Sequence, residues 1–166
     1  MAEETNNGAA APAAQPNSQA QGIQMRLLGQ YAKDVSFESP NAPEVLTKLR
    51  DKPEMKIDMN TRNRKVEQGF EVELTIKASC SFGDMQAYVA EVTYAAAVAI
   101  ADEATDQVKA VLLNVEVPQL LFPYVRAMLS DLTAQGSFQP LVMQPIDFRQ
   151  AFVQRIQQEA AKAQKQ

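Results

Sequence analysis

The chain has 166 residues, 46% of them hydrophobic and 22% charged, with 16 basic and 20 acidic side chains and a formal net charge of −4. That length suits one domain with a real core, and the acidic balance argues against a nucleic-acid surface. With no histidine and a single cysteine, Cys80, the sequence offers neither a Cys/His zinc site, nor a Cys–His nucleophile, nor an intrachain disulfide.

Other absences narrow the field further. Glycines are too scattered for a phosphate loop or a dinucleotide fingerprint. No catalytic residue, metal site or cofactor is expected, and the chain is read as a non-enzyme. It shows no apolar run near the ~18 residues of a membrane span and no secretory signal. A lone cysteine fits a reducing compartment, so a cytoplasmic location without membrane insertion is expected.

In chain order, residues 1–22 are rich in Ala, Asn, Gln and Pro and are expected to form a disordered tail. A one-sided strand follows. Met25, Leu27, Tyr31, Val35 and Phe37 are expected on one face, with Arg26, Gln30, Asp34, Ser36 and Glu38 on the other and a bulge near Gly29. Residues 39–65 read as a long, proline-punctuated connection with one short helical turn around APEVLTKL. It is too apolar for simple disorder, since Val45, Leu46, Leu49, Met55, Ile57 and Met59 all lie in it.

The segment FEVELTIKASCSF alternates cleanly, Gly83-Asp84 gives a tight turn, and MQAYVAEVTYAAAVAI returns as the hairpin partner. The returning strand is apolar on both faces, which suggests a cover on each, one of them another subunit. QVKAVLLNVEV reads as a fourth strand that ends before Pro118. Two helices close the chain. The first, about 118–134, has Pro123 near its start and Gly136 as its C′ residue. The second starts around Pro145, with a Phe148, Phe152, Ile156 ladder. The expected class is α+β: a four-stranded antiparallel sheet with two C-terminal helices packed on one face. The expected organisation is a tail at 1–22, a domain at 23–158 and a frayed helix end at 159–166.

The loop after the first helix carries Phe138, Leu141, Val142 and Met143 where polar residues are the norm. Such a loop either plugs its own core or offers apolar surface to other chains. Two further readings stay open: a self-assembling interaction module without a client, and a divalent-metal site built from Asp34, Glu38 and Glu91.

YAKDVSFESPNAP (31–43), YVAEV (88–92) and LLFPYVRAMLSDLTAQGSFQPLVMQPIDF (120–148), in that order, strongly resemble SecB, the bacterial protein-export chaperone family. The resemblance covers about residues 24–158. It implies a homotetramer, a dimer of dimers, that holds unfolded precursor proteins in the cytoplasm without ATP. It also implies handover to SecA, the motor ATPase of the translocon. The family's acidic SecA-docking surface maps onto Asp34 and Glu38 of the KD-x-SFE motif, and onto Val89 and Glu91. The family more often carries leucine where this chain has Val89. The family's client-binding groove maps onto Leu46, Leu49, Met55, Ile57, Tyr88, Phe138, Leu141, Met143 and Phe152. Methionine suits such a groove because its unbranched, polarizable side chain re-packs around different partners.

Overall fold

The computed structural model describes residues 25–163. Four antiparallel strands, β1 (Met25–Glu38), β2 (Glu54–Val66), β3 (Gly69–Phe82) and β4 (Met85–Ile100), form one sheet in the order β1-β4-β3-β2. A continuous helical run, Asp106–Gln135, then crosses one face of the sheet. It comprises α1 (Asp106–Val111), a wider turn at Leu112–Glu116 and α2 (Val117–Gln135). An irregular stretch leads to α3 (Phe148–Ala163). The class is α+β with the helices on one face, as expected.

Two strand assignments change. QVKAVLLNVEV is helical, and the fourth strand is β2, inside the stretch read as a connection. β-branched content misleads in the first case, because Val and Leu report burial more than backbone shape. The helix has a proper start: the Thr105 hydroxyl accepts from the Val108 N–H at 3.3 Å. β2 pairs with β3 throughout, from Glu54 opposite Ser81 to Val66 opposite Gly69. The prolines that suggested a break, Pro40, Pro43 and Pro53, all precede it.

Pro123 sits inside the helix rather than in its first turn, and Pro118 is the proline at the start of α2. Just before Pro118, Val117 N–H bonds back five residues to the Leu112 carbonyl, so the ladder is already widened there. Pro123 and Gln119, whose carbonyl Pro123 leaves without an N–H partner, are both exposed, so water can serve that group.

The core is built between the sheet and α2. Val72, Leu74 and Ile76 of β3 and Val92, Ala96 and Val98 of β4 meet Val117, Leu121, Val125 and Leu129 of α2, all fully buried. By length and hydropathy alone, the run Asp106–Gln135 would also qualify as a membrane span, contrary to the expectation that no such segment exists. Its buried residues pack against the sheet instead.

β1 carries two bulges where one was expected. The extra residues are Leu28 and Lys33, between the pairs Leu27–Val98 and Gly29–Ala97, and between Ala32–Tyr94 and Asp34–Thr93. Each extra residue inverts the alternation. Between the bulges, therefore, Tyr31 faces away from the helices and Gln30 faces them, the reverse of simple alternation. Gln30 Oε1 is buried there without a hydrogen-bond partner among the described residues. The expectation for the tail at 1–22 falls on residues outside those described.

Candidate functional site

The two faces of the sheet present different chemistry. On the helix side, the end of β1, the start of β4 and the loop after α2 build an aromatic cluster. Tyr88 lies 5.7 Å from Phe37 and 5.0 Å from Phe138, centroid to centroid. The loop is held by backbone and side-chain bonds. Phe138 N–H reaches the Thr133 carbonyl at 3.1 Å, and Leu141 N–H reaches the buried Thr133 hydroxyl at 2.9 Å. Gly136 keeps φ −75, and Ser137 takes the left-handed conformation at φ 66. Gly136 is needed for space: a Cβ there would lie 2.3 Å from Phe37 Cζ.

Beside this cluster opens an apolar cavity of about 370 Å³. Leu49, Met55, Tyr88, Phe138 and Leu141 line it, five of the nine residues expected in a groove. Cys80 and Phe82, which sequence reasoning missed, line it too, as does Val142, noted in the apolar loop but not among the nine. Val142 is 75% exposed, an aliphatic side chain held in water on a tethered loop. The Tyr88 phenol donates to Met55 Sδ at 3.6 Å. Burial pushes the Tyr88 phenol up to about 12 and raises the Cys80 thiol, so both stay protonated at neutral pH.

From Met55 the same side of β2 continues through Ile57 and Met59, two residues apart and all exposed. Met59 borders a second cavity of about 200 Å³, closed by Phe148 and Phe152 of α3. The expected residues therefore divide. Phe152 belongs to the second cavity, and Ile57 to the strand between the two. Leu46 is partly buried against the core and Met143 is buried within it, and neither lines either of these two cavities.

On the opposite face, Asp34, Ser36 and Glu38 project from one strand and lie opposite Thr93, Glu91 and Val89. Glu91 thus stands midway between two acids about 13 Å apart at ~3.3 Å per residue. Val89 adds an apolar edge. All four expected docking residues share this surface. Lys77 was missed: it lies opposite Glu91 and approaches its carboxylate at 3.7 Å. Asp34 and Glu38 have no ion pair among the described residues, and no group of acids is gathered closely enough there to hold a metal ion.

Further along the same face, Glu71 of β3 is the one fully buried charged residue described, at 3% exposure. It accepts hydrogen bonds from the Tyr31 phenol, from Arg64 and from Lys33, the last at 3.1 Å. The Tyr31 bond, helped by Arg64 and Lys33 and opposed by burial, holds its carboxyl at about 2.

Comparison with known proteins agrees with this architecture. The family model described as preprotein translocase subunit SecB matches residues 18–159. The chain is 40% identical over 162 residues to the protein-export protein SecB of Xanthomonas oryzae pv. oryzae, covering 95% of this chain and 90% of that relative. Against the protein-export protein SecB of Idiomarina loihiensis it is 38% identical over 168 residues, covering 100% of this chain and 97% of the other. Among solved structures, the SecB-like chaperone Rv1957 of Mycobacterium tuberculosis, in complex with a ChAD peptide from the HigA1 antitoxin, aligns with a TM-score of 0.62. That match covers 74% of this chain and 91% of the other at 15% identity, and it concerns the fold. A family model that spans the sheet and the helices, together with relatives matched over nearly their whole length, gives the assignment: this chain belongs to the SecB family of protein-export chaperones.

Proposed function

We propose that the chain works as a cytoplasmic homotetramer, a dimer of dimers. In this reading it binds unfolded precursor proteins without ATP, keeps them translocation-competent and passes them to SecA. The observation that carries the holding role is the exposed apolar path from Leu49 through Met55 and Ile57 to Met59, with an apolar cavity at one end and a smaller one at the other. Covering a ~400 Å² apolar client segment at ~25 cal/mol per Å² is worth on the order of 10 kcal/mol gross. Association and ordering remove much of that. Affinity then comes from several modest contacts along one client, linked across subunits.

The docking role rests on Asp34, Glu38, Val89 and Glu91, which lie on the face away from the apolar path. Four chains of net charge −4 give a tetramer of −16, enough to steer a basic surface of SecA at low salt. Separate faces let client and motor be held together.

Dilution of a chemically unfolded precursor into buffer containing this protein, without nucleotide, tests the reading. Suppression of aggregation near one tetramer per precursor is expected. A folded tetramer that suppresses nothing would overturn the holding role and favour a plain interaction module.

A further inference from the structure

The docking reading above leaves one cluster on the same face unused: Glu71 with Tyr31, Lys33, Glu73 and Arg64. A buried carboxylate is costly unless fully paired, so its position calls for an explanation. The explanation starts in β4. Opposite Tyr31 and Glu73 that strand offers Ala95, and opposite Gly29 and Glu71 it offers Ala97. Nothing taller than a methyl group separates β1 from β3 there. Two strand spacings are about 10 Å, which a tyrosine and a lysine can cross, and both do. Tyr31 and Lys33 reach Glu71, and Lys33 also binds Glu73.

Lys33 forms the second bulge of β1, and Tyr31 lies two residues before it. Within the chain β1 is held by its ladder with β4, and its register depends on where the bulge sits. A slip by one residue would turn every following side chain to the opposite face. Asp34 comes immediately after the bulge and Glu38 four residues later. Lys33 also precedes Asp34 directly, and its ammonium is drawn towards Glu71 and Glu73. We propose that Glu71, through Tyr31 and Lys33, is a positioning residue for the docking face: it fixes the Lys33 bulge, keeps Asp34 and Glu38 beside Glu91, and keeps the Lys33 charge off Asp34.

The test is a double-mutant cycle on the full-length tetramer, read as SecA affinity, with suppression of client aggregation measured in parallel. Tyr31→Phe changes no charge and removes one bond to Glu71. It is expected to weaken SecA binding about fivefold, as loss of one charge-assisted hydrogen bond would, and to leave client holding unchanged. In an Asp34→Asn, Glu38→Gln background the same substitution should change SecA affinity by less than about twofold, because it acts through those two carboxylates. Hydrogen exchange at residues 32–36 should quicken in Tyr31→Phe. An equal effect in both backgrounds would reduce the cluster to general stability and overturn the proposal. So would unchanged SecA binding in Tyr31→Phe despite faster exchange. If Asp34→Asn with Glu38→Gln alone leaves SecA binding intact, the docking reading itself falls, and the proposal falls with it.

Discussion

The two faces of this sheet are held by different forces. The helix side is ordered by packing: Leu74, Ile76, Val92, Leu121, Val125 and Leu129 are fully buried and none carries a polar atom beyond its backbone. The open side is ordered by charge and hydrogen bonds, through Glu71 and its partners, the Lys77–Glu91 pair, and the Thr75–Thr93 hydroxyls at 2.8 Å. Packing is indifferent to salt and pH near neutrality, whereas ion pairs answer to both. The difference teaches where each activity can reside. An apolar path that accepts many sequences belongs beside the packed face, and a selective, salt-sensitive contact belongs on the other.

The comparison can be broken most severely from the packed side. Leu129→Ala should lower the unfolding free energy by about 2–5 kcal/mol, measured by urea denaturation, and should impair both activities together. Next in size, charge reversal at Asp34, Glu38 and Glu91 to lysine should weaken SecA binding about 100-fold or more, while aggregation suppression persists. Loss of holding in that variant would show that the faces are not independent. Leu49→Asp with Ile57→Asp should weaken client holding about tenfold at unchanged SecA affinity, read from aggregation assays and a SecA titration. Unaltered capture would remove the apolar path from the mechanism.

Two smaller effects sharpen the open side. Glu71 is held at about 2 against an ordinary 4.5, a lowered value in the folded chain. Its contribution is therefore complete only well above pH 4.5 and is lost as pH falls towards 2, on the order of 3 kcal/mol at most. The stability gap between the natural chain and Glu71→Gln should shrink across that window in urea unfolding at stepped pH. A gap independent of pH would assign the effect to shape. The smallest change is Lys77→Gln, which frees Glu91 and should raise SecA affinity about twofold at low salt, an exposed pair being worth little. High salt should erase the gain.

Much of this was readable from residue order. The β3–β4 hairpin follows from strict alternation and Gly83-Asp84, and α3 from the Phe148, Phe152 spacing. Asp34, Glu38, Val89 and Glu91 were placed together because the motif and the strand period agree from residue 34 to residue 38. β2 is masked in the sequence although Met55, Ile57 and Met59 alternate with Lys56, Asp58 and Asn60, because Pro40, Pro43 and Pro53 break the pattern just before it. The α1 segment failed for a different reason: a Val/Leu run reports burial and leaves the backbone undecided. Beyond local reading lay the Lys33 bulge and the burial of Glu71, since both depend on alanines some sixty and twenty-five residues away along the chain. Leu46 and Met143 went to the core because hydrophobicity alone does not separate a wall from a floor.

One feature of β1 reaches further. Phe37 stacks into the aromatic cluster and touches the end of α2 at Gly136, while its chain neighbours Ser36 and Glu38 stand on the acidic face. The separation between the two surfaces is thus a single peptide unit, and both ride on the same few residues of an edge strand. Whatever twists that strand turns them in concert, like the two sides of one key.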